Sequence, residues 1–224
     1  MNETTLTSQE REKNRELKQK LQANIEDALQ VLLPFFAIHQ KQALQFRKPS
    51  YVISSTENAT NTLDYCRERG SYNFETAEFT FNPTTIENIA TIGEETAHYI
   101  HGEINPLWKD KPKTKEEYFK TANLVELIGR YGALVYTQEK KQKVEPINWY
   151  DVVTDGSGLE VGQTHYEGYT RAEKIFKEQG AKLLPKIARM SFEESRNELP
   201  KIAPIHFYEP RLYSGLQRMI KKII

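Results

Sequence analysis

Between residues 8 and 33 an apolar side chain returns every three or four positions, at Leu17, Leu21, Ile25, Leu29 and Leu32, with charged and amide groups between. That is the helical period, and it predicts one long helix with Thr7 or Ser8 as its cap. The first half of this helix is almost wholly polar, which marks a solvated face or a surface for a partner or a second copy of the chain. Pro34 should end or kink it, and the stretch 35–46 resumes a helical pattern toward Lys48 and Pro49.

From residue 51 the period shortens. YVISS, LDYCRER and AEFTFNP are short β-rich pieces separated by Asn, Thr, Gly and Ser. In the last of them Phe79 and Phe81 share a face, and Asn82-Pro83 closes the strand. Thr84 or Thr85 can then cap a helix, with Glu87 as the capping-box partner of Thr84. Ile86, Ile89, Ala90, Ala97 and Ile100 give that helix its apolar positions, and Gly102 and Asn105-Pro106 end it. A lysine-rich loop spans 108–117, helix returns over 116–141, and 142–165 is turn-rich. Further helices are expected over 166–189, around SFEESRNEL and over 211–224. With no internal repeat, these elements predict a predominantly helical α+β fold with a small sheet and a long N-terminal helix. Residues 1–48 read as a helical appendage and 49–224 as one compact domain.

Composition narrows the classes. Lys and Arg number 31, Asp and Glu also 31, so the basic excess expected of a nucleic-acid binder is missing. The single cysteine, Cys66, leaves no intrachain disulfide. With no charged-then-apolar leader, the expected setting is cytoplasmic. The apolar run 31–38 is too short to span a bilayer. No base is paired in sequence with Cys66, and the DGSGLEVG stretch at 155–162 lacks the lysine and spacing of a phosphate loop. The basic amphipathic segment 211–224 reads as a packed terminal helix with solvated lysines, or as a surface for an acidic partner or a membrane.

The chemistry concentrates in GEETAHYIHGE, residues 93–103. Residues four apart share a helix face, so Glu94 and His98 project together and could offer a metal one carboxylate oxygen and one imidazole nitrogen. Glu95 lies one residue round, where a base that is not itself a ligand could act on water. His101 lies near the same face and is a substitute ligand. The stretch resembles the H-E-x-x-H segment of the zincin metallopeptidases, in their gluzincin branch, with Glu94 where that family has its first histidine. The resemblance covers roughly residues 72–190. It implies a small sheet whose edge strand, AEFTFNP, precedes the active-site helix, and a second helix supplying a glutamate ligand. Glu126, in ANLVELIGRYGALVY, matches at 126 − 98 = 28 residues from His98. A carboxylate among Leu124, Val125, Leu127 and Ile128 needs a partner if buried, which favours that role. Glu167 is the alternative third ligand, near a loop-to-helix junction with His165. From the later Gly-Tyr helix the resemblance implies His165, Tyr166 or Tyr169 as an oxyanion-stabilising side chain.

Glu94 alters the expected chemistry. Two carboxylates offset the charge of a divalent ion and make it a weaker Lewis acid than a two-histidine site would. Zinc is implied by the resemblance, while oxygen ligands move preference toward manganese or ferrous iron. Without metal, Glu94, Glu95 and Glu126 repel one another and one tends to hold a proton. Two functions follow: a metal-dependent peptide hydrolase of weakened or altered metal preference, or a metal-free zincin-like scaffold that binds a peptide or protein. A ferritin-like di-iron bundle needs a second E-x-x-H, which the chain lacks.

Overall fold

The computed structural model describes residues 7–54, 70–105, 115–143 and 159–204. Cys66, the LDYCRER segment, the DGSG turn and the 211–224 helix lie outside the described residues.

Helix α1, Ser8–Phe35, opens on a capping box. The Thr7 hydroxyl accepts the Glu10 N–H at 3.2 Å, and the Glu10 carboxylate accepts the Thr7 N–H at 2.7 Å. These bonds satisfy donors that a helix start otherwise leaves open. The polar first half is exposed. In the second half, Leu21, Ile25, Ala28 and Leu32 form a fully buried stripe in the same core as the later helices. Arg189 donates to the Phe36 carbonyl at 2.8 Å, meeting one acceptor that the C-terminus of α1 leaves over. The helical pattern expected over 35–46 reduces to a single turn, α2, Gln40–Ala43.

Three short strands follow: β1, Ser50–Ile53; β2, Gly70–Asn73; and β3, Glu78–Phe81. Their order is β1-β3-β2, with β3 parallel to β1 and antiparallel to β2. The strand before the candidate helix is therefore central, and the expectation of an edge strand there is corrected. Alternation of Phe79 and Phe81 marks one buried face and says nothing about neighbours on either side. Both phenylalanines are fully buried, with Tyr51 stacked on Phe79 and Tyr72 tilted against it.

Helix α3, Ile89–Ile104, starts later than expected, with Asn88 as the cap. The Asn88 side chain accepts the Thr91 N–H at 3.0 Å. Thr84 caps no helix and sits in a local turn, its N–H and its hydroxyl both donating to the Asn82 side chain, at 2.9 and 2.8 Å. That local turn competes with helix initiation. Glu87, expected to complete a box with Thr84, pairs instead with Lys20 of α1.

Helices α4, Lys115–Glu139, and α5, Leu159–Gln179, complete the framework, and α4 packs along both α3 and α5. The short α6, Leu184–Ile187, and α7, Phe192–Ile202, both contact α4. Tyr136 on α4 donates to Asp27 on α1 at 2.5 Å, and Lys140 pairs with the same carboxylate at 2.6 Å. Among the described residues no helix is long and apolar enough to cross a membrane.

Candidate metal centre

Helices α3 and α4 approach closely because the facing positions are small. A Cβ on Gly132 would lie 2.2 Å from the Ala97 Cβ, a distance that no pair of carbons tolerates. One turn away, a Cβ on Gly129 would lie 2.4 Å from His98 Cε1 and 2.5 Å from its Nε2. The imidazole thus occupies space that only glycine leaves open. On the other side of α4, a Cβ on Gly168 would meet the Asn123 carbonyl, the Glu126 Cβ and the Leu127 nitrogen, each at 2.8 Å. Glycine there seats α5 against the turn that carries Glu126.

This packing gathers Glu94, His98 and Glu126. One ligand atom from each lies within 4.8 Å of the others. Ligands at bond lengths of about 2.0–2.2 Å stand at most about 4.4 Å apart across an ion, so the group closes on one by small side-chain movements. His98 is 7% exposed, and its Nδ1 is buried with no hydrogen-bond partner among the described residues. A buried polar nitrogen left unpaired is costly, and a cation is one partner that would satisfy it. Phe74 lies edge-on to the ring and fills its apolar side. No protein-family model, curated protein sequence or solved structure gives a significant match to this chain.

The electrostatics are those of crowded carboxylates. Burial raises the pKa of Glu94, and the charge of Glu126 adds to it, against His98 and a hydrogen bond from Tyr169. Glu95 is 9% exposed, and burial followed by the charges of Glu94 and Glu126 holds it well above the ordinary carboxylate range. The neighbouring Tyr72 backbone on β2 works the other way. Tyr169 donates its phenolic proton to Glu94 Oε1. Burial and the same acidic neighbours raise the Tyr169 pKa strongly, so the phenol keeps that proton. A divalent cation among these groups would reverse the balance and favour the ionised carboxylates.

The other expected site residues are placed as follows. His101 is fully buried, and its Nε2 lies 3.2 Å from the Asn105 amide nitrogen. That amide also reaches the Ala188 and Met190 carbonyls at 3.1 and 3.2 Å. Burial pushes the His101 pKa down to about 3, so the ring is neutral, and it is not among the clustered ligands. Glu167 likewise stays outside the cluster and accepts from Asn123 at 2.8 Å. His165 and Tyr166 lie within α5, not at a loop-to-helix junction, and their side chains fall outside the described residues.

Sequence reasoning missed Arg130 and the glycines. Arg130 is 6% exposed, sits 5.5 Å from the centre of the Tyr169 ring, and donates to Glu173 at 2.6 Å. Its signal was present as Gly129-Arg130-Tyr131-Gly132, two glycines one helical turn apart flanking a buried cation.

Proposed function

We propose that this protein holds one divalent cation between α3 and α4 through Glu94, His98 and Glu126, and that it is a metal-dependent hydrolase acting on peptides or proteins. The observation that carries the reading is the convergence of those three side chains, one of them a buried imidazole whose Nδ1 has no hydrogen-bond partner among the described residues. The likeness of the EExxH segment to the zincin motif supports the hydrolytic part, and the small sheet followed by helix α3 agrees with it. When bound, such an ion polarises a carbonyl oxygen and lowers the pKa of water. Glu95, one residue beyond the first ligand, is the base that accepts a proton from water, and it is competent once a cation offsets the charges of Glu94 and Glu126. Two carboxylates to one imidazole suit manganese or ferrous iron alongside zinc.

A second reading has one specific observation behind it. The Glu95 side chain is only 9% exposed, on the helix face packed toward β2, where it can serve the fold alone. On that reading the chain is a catalytically inactive scaffold and binds a peptide or protein without cutting it.

Turnover of a mixed fluorogenic peptide pool separates the two. The hydrolase reading expects cleavage with added manganese, zinc or ferrous iron, none with chelator, and loss of cleavage in Glu95→Gln without loss of metal binding. Bound metal with no cleavage of any peptide would favour the scaffold.

A further inference from the structure

A histidine metal ligand is oriented by donating its second ring nitrogen to a carboxylate or carbonyl. A glutamate ligand has the opposite requirement, because its second oxygen must accept. At Glu94 that donor is present: the Tyr169 phenol bonds Oε1, and the carboxylate keeps a second oxygen that can serve as a ligand. The phenol is itself held. Arg130 lies against the ring face at 5.5 Å and is anchored to Glu173 at 2.6 Å. Gly168, the residue before it, lets α5 sit at the depth where the phenol reaches α3.

We infer that Tyr169 is the positioning residue for Glu94, fixing it as a one-oxygen ligand. Glu94 and Tyr169 then do together what a histidine and its outer carboxylate do in a two-histidine site. The inference rests on the metal-binding reading above and specifies how the glutamate at 94 can serve as a ligand.

Isothermal titration of zinc and manganese into wild type, Tyr169→Phe, Glu94→Gln and the double variant tests it, with the melting temperature of each metal-free protein measured in parallel. Tyr169→Phe should weaken binding by about 10- to 100-fold, the range for removing an outer partner of a ligand. In the Glu94→Gln background the same change should cost less than about 2-fold, because the carboxylate it positions is gone. Equal affinity in wild type and Tyr169→Phe overturns the inference and leaves the metal site standing. An equal loss in both backgrounds also overturns it, assigning Tyr169 to the fold alone. No binding of either metal by wild type overturns the underlying reading. Wild type gives a second readout that needs no variant. Metal addition should produce a tyrosine band in the near-ultraviolet difference spectrum, and a flat spectrum with metal bound contradicts the inference.

Discussion

Replacing Gly129 with alanine tests whether the fold makes room for the site. In an ordinary helix interior the change is favourable by about 1 kcal/mol, since alanine restricts the unfolded backbone and suits the helix better. Here the new methyl carbon would stand 2.4 Å from His98 Cε1 and 2.5 Å from Nε2. The imidazole is packed between α3, α4 and Phe74, so it cannot swing aside without displacing neighbours. Overpacking of this kind costs about 1–3 kcal/mol. The net expectation is a loss of up to about 2 kcal/mol, which for a chain of this size lowers Tm by up to about 8 °C. Metal affinity should fall further than stability suggests, by at least about 10-fold, because the ligand itself is displaced. Thermal melts with and without metal, together with calorimetric titration, read both quantities. A variant that melts higher than wild type and binds metal as well would refute the close approach of α3 and α4 at His98.

Metal should stabilise the fold directly. At a free concentration near 100 times Kd the gain is about 2.7 kcal/mol, or about 5–11 °C in Tm, and chelator should reverse it. The metal-free protein should also show a pH signature at Glu95. Its folded pKa lies above the unfolded value of 4.5, so its contribution is full below that value and is lost as pH rises through the raised one. Glu95→Gln, which keeps the size and shape of the side chain, should therefore melt higher than wild type at pH 8 without metal and no higher at pH 4; a lower melt at pH 8 would contradict the assignment. Asp27→Asn should cost about 1 kcal/mol in chemical denaturation. The Tyr136 bond supplies most of that, because the partly exposed Lys140 pair is screened by solvent. No change would mean that α1 is held by its apolar stripe alone.

Much of this was legible because helical period and local spacing are properties of a single segment. The buried stripe of α1, the shared face of Glu94 and His98, and the isolation of Glu126 in an apolar run all follow from residues close together in sequence. What was not legible depends on neighbours across space. Strand order put β3 at the centre, since β1 pairs with it from the far side. The Asn82 turn took both polar groups of Thr84 and moved the start of α3 to Asn88. His101 shares a helix with His98, yet its Nε2 meets Asn105, whose amide reaches the Ala188 and Met190 carbonyls. Gly129 and Gly168 read as helix-weakening residues in isolation. Only the packed helices reveal them as the space that admits His98 and seats α5 beside Glu126.

The most direct test of the metal centre is elemental analysis of the purified protein after incubation with zinc, manganese and ferrous iron, beside His98→Ala. The account predicts close to one equivalent of metal in the wild type and little in the variant. Wild type without metal, or the same content in both proteins, would contradict it.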